Sequence, residues 1–229
     1  MIDDILILLA SVLAVVSVLS LHEFSHAYAA YKCGDPTAKF AGRMTLNPTK
    51  HFDPFGLFLF VFAHFGWAKP VPVNPYNFKN RRWGTFWTSV AGILANYLSA
   101  FLLFYPLLVV TTRYVLPIFA GKYMAIFLSA LTSYLYSYSI SFAVFNFLPI
   151  YPLDGFKIAE AIDHRGTSKV LNFLRMYGSY ILLGLIAVNV FSSSFPILGY
   201  FNVLGYVMQY LGGIISVPII KFWALIFSV

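Results

Sequence analysis

The sequence predicts an all-α polytopic membrane protein: five to six transmembrane or re-entrant helices with one short membrane-associated β-strand or hairpin. Two bulk properties and one pattern carry that prediction. Of 229 residues, 60% are apolar and only 10% are charged, whereas a soluble domain is about one quarter charged. Mean hydropathy is +0.78. The apolar residues also gather into runs long enough to cross about 30 Å of hydrocarbon.

The first run, Ile5 to Tyr31, follows Asp3 and Asp4 where a secretory signal would carry lysines, and no small-residue cleavage site follows it, so it reads as a retained helix. Next comes "FDPFGLFLFVFAHFGW", Phe52 to Trp67, opened by Pro54 and Gly56 and too short to span, which suits a re-entrant piece. In "GWAKPVPVNPYNF", valines alternate with prolines that lack a donor, which fits an edge strand and excludes a helix interior. Further spans are expected at Thr85 to Thr112, Tyr123 to Ile150 and Met176 to Phe195, with a weaker one at Ile197 to Ile220 interrupted by Gly212, Gly213 and Pro218. We read one domain over 1–229, with a catalytic core at about 5–165 and C-terminal helices at about 170–229.

Charge orients the layout. Lys32, Lys39, Arg43, Lys50, Lys69, Lys79, Arg81, Arg82, Lys157, Arg165, Lys169 and Arg175 share one side if the short apolar piece turns back, and Lys221 joins them. Arg113 and Lys122 face the other way. The positive-inside rule then makes the crowded side cytoplasmic and the N-terminus external. The net charge of +7 forms no basic stripe with interleaved aromatics, which argues against a nucleic-acid partner. The single cysteine, Cys33, cannot form an internal disulfide.

The chemistry begins at "HEFSH". On a helix, His22 and His26 lie about 40° apart on one face, one turn from each other, so both imidazoles can hold one zinc. Glu23 sits about 100° around, close to such a metal without having to bind it, and can take a proton from the attacking water. Ionisable groups within apolar spans are costly and are usually functional. A catalytic zinc needs three protein ligands and an open position. Asp154 is the leading third ligand, since it is the only acid between Asp53 and Glu160 and it ends a long apolar run. Pro149 and Pro152 break the helix before it, and Gly155 gives the backbone room. His51, His64 and His164 remain as competing donors, and Asp53 before Pro54 reads as a turn or helix-cap group or a partner to an imidazole.

"HEFSH" paired with the later "NFLPIYPLDG" resembles the site-2 protease family of intramembrane zinc metalloproteases, and "GDPTAKFAGRMTLNPTKHFDPFG" with "GWAKPVPVNP" resembles its compact prokaryotic branch without PDZ or CBS domains. The resemblance spans about residues 15 to 165. It implies one Zn²⁺ per chain held by His22, His26 and Asp154, with Glu23 as general base. It also implies substrate contacts from Asn146, Asn96 and the Gly66 to Val73 segment, through Gly66, Pro70, Val71 and Val73. Phe156 departs from the pattern, standing where many members carry a second glycine. The implied activity is cleavage of peptide bonds in or near transmembrane segments in a lipid bilayer, with a transmembrane peptide as partner. The competing class is an intramembrane metal-ion transporter or sensor, which would favour ionisable groups spread along a path.

Overall fold

The computed structural model describes residues 1–63, 66–119, 121–163, 166 and 168–227. Its architecture is helical, with no β-strand among the described residues. Helix α1 runs Ile2–Cys33 and stops at Gly34, whose φ of 112° is left-handed and whose N–H caps the carbonyls of Ala30 and Tyr31. Its inner face carries Ala10, Ser11, Ala14, Ala27 and Ala30, small enough for neighbouring backbones to approach closely.

Helix α2, Pro54–Ala63, is the short apolar piece. Asp53 begins it by accepting from the Gly56 N–H at 2.8 Å, the cap role expected of an Asp before Pro. A continuous helix, α3, extends over Arg81–Ile118 with π-helical turns at Ala100–Phe104 and Thr111–Val115. Its start is capped by Asn80, which accepts from the Trp83 N–H. Helix α4, Lys122–Phe147, ends where Pro149 forces Leu148 into an extended conformation. After a tight turn, α5 covers Asp154–Ile162. The C-terminal pair is α6, Lys169–Phe191, and α7, Val203–Phe227.

Four helices are long and apolar enough to cross a membrane: α1, α3, α6 and α7. The chain is thus a multi-pass membrane protein, and the expected total of five to six is not reached on this measure. The difference lies in α4, which is 26 residues long but carries Ser133, Tyr134, Tyr136, Ser137, Tyr138 and Ser139 through its middle. These lower its hydropathy, yet α4 packs closely against both α1 and α3. Ser137 and Thr132 satisfy their hydroxyls on carbonyls one turn back, which reconciles polar side chains with an apolar setting.

The expected β-strand is also corrected. Residues 66–74 run extended without a ladder partner. Pro70 and Pro72 have no donors, and the middle of the segment is engaged elsewhere: the Lys69 N–H donates to the His51 carbonyl, the Val71 N–H to Glu23, and Arg43 donates to the carbonyls of Lys69 and Pro70. Gly56 and Gly66 allow α2 to touch this segment, because a Cβ on either would collide with the other strip's backbone.

Candidate metal centre

Within α1, the last three turns bring His22, Glu23 and His26 to a buried face. The first residue of α5 brings Asp154 to the same point. His22 Nε2 and His26 Nε2 lie 2.9 Å apart, and Asp154 Oδ2 lies 3.3 Å from the first and 2.9 Å from the second. These three buried side chains bring one nitrogen or oxygen each to within 4.8 Å of one another and form a group that could hold a metal ion. Two imidazole nitrogens and one carboxylate oxygen are a donor set known from catalytic zinc sites.

The supports come from several elements. Lys157 donates to Asp154 Oδ1 at 3.0 Å, which leaves Oδ2 facing the imidazoles. Gly155 lets the start of α5 rest on the carbonyls of Phe147 and Leu148, where any Cβ would clash. Phe156, the departure from the family pattern, is buried and packs edge-on against Tyr151 with ring centroids 5.5 Å apart. From α3, Gly92 faces both imidazoles: a Cβ there would stand 2.5 Å from His26 Nε2 and 2.7 Å from His22 Cε1.

Glu23 accepts from the Val71 N–H at 2.8 Å through Oε2. Prolines on both sides of Val71 make that amide the one available donor in the tripeptide. The extended segment is tied down in turn by Asp35, which is buried and accepts from the N–H of Asn74, the side-chain amide of Asn77, and the N–H and hydroxyl of Thr37. Burial pushes the Asp35 carboxyl up, but the bonds from Thr37, Asn74 and Asn77 outweigh it and hold the group below its ordinary range.

Of the other expected residues, Asn146 donates from Nδ2 to the Phe142 carbonyl one turn back in α4 and is half-buried. Asn96 is wholly buried against His22. His51 is buried and stands outside the ligand group; its Nε2 faces the Thr45 carbonyl at 2.7 Å. His64 and His164 lie outside the described residues. Sequence reading missed Gly92, Thr88, Asp35, Arg43 and Lys157. One signal was present: Gly84, Thr88, Gly92 and Asn96 recur every four residues, a small-residue stripe that lets another helix come close.

A cavity of about 350 Å³ lies between α1, α2 and α4, and its lining reaches Leu19 and Ser20 of α1, one turn before the metal donors, without including them. Its α1 wall includes Val16 and Ser20, which share a helix face with Glu23 by their spacing of four and three. Opposite stand Leu57 and Phe60 of α2, Phe142 of α4, Ile186 and Asn189 of α6, and Met208 of α7.

Buried metal donors set among apolar spanning helices define a membrane-embedded metalloprotein. The chain belongs to Peptidase family M50, the site-2 protease family, whose family model matches residues 10–116 and 111–188. It is 39% identical over 172 residues to "Putative zinc metalloprotease YwhC" of Bacillus subtilis, covering 75% of this chain and 77% of that protein. It is 30% identical over 174 residues to "Putative zinc metalloprotease Rip2" of Mycolicibacterium smegmatis, covering 73% of this chain and 62% of that one. No solved structure matches.

Proposed function

We propose that this metalloprotease is an intramembrane zinc endopeptidase that cleaves membrane proteins in or beside their transmembrane segments, the step that defines regulated intramembrane proteolysis. The observation that carries the reading is the convergence of His22 Nε2, His26 Nε2 and Asp154 Oδ2 beside a buried glutamate. Those three side chains would hold one Zn²⁺ per chain. When bound there, zinc lowers the pKa of water toward about 7 and polarises the scissile carbonyl.

The protein's own groups supply the rest. Glu23, oriented by the Val71 amide, receives the proton of the attacking water and returns it to the leaving amine. Lys157 keeps Asp154 turned with Oδ2 inward. A peptide in a transmembrane helix has its carbonyls already bonded, so it must unwind before attack. The apolar cavity that begins one turn before Glu23 along α1 offers the unwound segment a berth, and Asn146, next to the cavity-lining Phe145 on α4, would donate to its backbone on leaving the Phe142 carbonyl. Within the 66–73 segment, the bonds made by Lys69, Pro70 and Val71 support placing substrate along Gly66 to Ala68 and at Val73 instead. The positive-inside bias supports an external N-terminus and a site toward the cytoplasmic side of a prokaryotic cell membrane. A transporter would string ionisable groups along a path, whereas the His, Cys and carboxylate donors close enough for a metal form a single group among the described residues.

The test compares wild type with Glu23→Gln, both reconstituted with a transmembrane peptide. Zinc is expected in both proteins, with cleavage slowed by about 10²–10⁴-fold in the variant. Undiminished cleavage by Glu23→Gln would defeat the mechanism.

A further inference from the structure

Each ligand imidazole has a second ring nitrogen, and both of these face α3. His26 Nδ1 lies 2.6 Å from the Thr88 carbonyl oxygen. A carbonyl only accepts, so Nδ1 carries a proton, and in the neutral ring that ligation requires His26 Nε2 keeps its lone pair toward the shared centre. His22 Nδ1 lies 3.1 Å from the side-chain amide of Asn96, about two turns further along the same helix. There the amide presents Nδ2 to the ring, while its Oδ1 is buried with no hydrogen-bond partner.

In that orientation His22 Nδ1 accepts, and the proton of the neutral ring sits on Nε2, the atom 2.9 Å from His26 Nε2. A protonated Nε2 has no lone pair for a cation. Ligation through Nε2 therefore needs the proton on Nδ1 and an acceptor opposite it. Asn96 owns that acceptor: half a turn of the amide exchanges Nδ2 and Oδ1. At 0% exposure, Asn96 has no water within reach, and the His22 ring is the partner its amide faces.

We infer that Asn96 is a positioning residue for the metal: its Oδ1 accepts from His22 Nδ1–H and fixes the tautomer that points Nε2 at the centre. Thr88 does the same for His26 through its carbonyl, and Gly92, midway between them, leaves room for both rings. One face of α3 thereby sets both ligands. The inference rests on His22, His26 and Asp154 being the zinc ligands, and it adds a role outside the substrate contact that the family resemblance implies for Asn96. Partners on the far nitrogen of a metal-bound imidazole typically govern metal affinity by about 10–100-fold.

The test measures zinc affinity of the full chain in detergent by competition with a chromophoric chelator, and records the visible spectrum of the cobalt-loaded protein. Asn96→Leu, similar in volume but without an acceptor, is expected to bind zinc about 10–100-fold more weakly and to alter the cobalt bands. Asn96→Asp keeps an acceptor and is expected to stay within about threefold of wild type, as carboxylate–histidine–zinc arrangements do. Wild-type affinity in Asn96→Leu would overturn the inference, leaving a bond that only joins helices. Zinc loss in Asn96→Asp as large as in Asn96→Leu would also overturn it, since the amide nitrogen would then be the working group. The Asp variant decides the matter if the Leu variant fails to fold. Absence of zinc from wild type would instead defeat the ligand assignment, a distinct outcome read before any variant.

Discussion

Over its most apolar stretch, α1 has 39% of its residues buried within the protein, whereas α6 has 11% and α7 only 6%. α1 presses small residues and the candidate metal donors against α3 and α4, where His22 meets Asn96 and His26 meets the Thr88 carbonyl, while its buried serines bond to carbonyls of α1 itself. By contrast, α6 and α7 turn large side chains such as Phe173, Met176, Tyr180, Tyr206 and Tyr210 outward. The family match ends at residue 188, so the last residues of α6 and all of α7 lie beyond it. Position in the first group is fixed to fractions of an ångström by chemistry. The second group needs only to be apolar and to close the cavity through Ile186, Asn189, Leu204 and Met208.

Glycine substitutions expose that contrast most sharply. Gly92→Ala should displace both imidazoles and abolish zinc binding and cleavage, because its Cβ would meet His26 Nε2 at 2.5 Å. Gly213→Ala in α7, with nothing within 4 Å, should leave both unchanged. Zinc content by atomic absorption and peptide cleavage on the two purified variants check the pair; equal effects would erase the distinction.

A smaller effect is expected at Asp35. Its loss removes the shared acceptor of the half-buried Asn74 and Thr37 and the exposed Asn77, at about 0.5–1.5 kcal/mol per bond, and unties the segment that orients Glu23. Asp35→Ala should therefore lower kcat and thermal stability while zinc content holds. The pH dependence has a definite sign. A carboxyl held below its ordinary value in the folded protein contributes stability that is present above about pH 3.9 and is lost as pH falls through the folded value. Acid melts should thus be steeper for wild type than for Asp35→Asn.

The smallest change is expected at the cavity wall. Met208→Trp should narrow the berth, raising KM for bulky transmembrane peptides several-fold while zinc content and folding persist. A fall in zinc content would mean that α7 supports the metal after all.

Local pattern made much of this legible. The four-residue spacing of His22 and His26 is a property of one helix, and Asp53 before Pro54 caps its own helix. Asp154 stood out because acids are scarce in apolar chain. What stayed hidden lies in contacts between distant segments. The alternation in "KPVPV" mimics a strand, but the groups of Lys69, Pro70 and Val71 are engaged by Glu23, His51 and Arg43, 18 to 48 positions away. Gly92 stands four residues before Asn96 in the sequence, and the two imidazoles against it are seen only in the structure. α4 resembled a span by length, and its packing on α1 and α3, with the bonds of Thr132 and Ser137 to carbonyls one turn back, shows how it carries so many hydroxyls.

The most direct test of the central claim is X-ray absorption at the zinc edge on the purified chain. One zinc with two imidazole nitrogens and a carboxylate oxygen at about 2.0–2.2 Å is expected, with zinc falling sharply in Asp154→Ala. Undiminished zinc in that variant, or a shell that needs a third imidazole, would contradict the assignment of His22, His26 and Asp154.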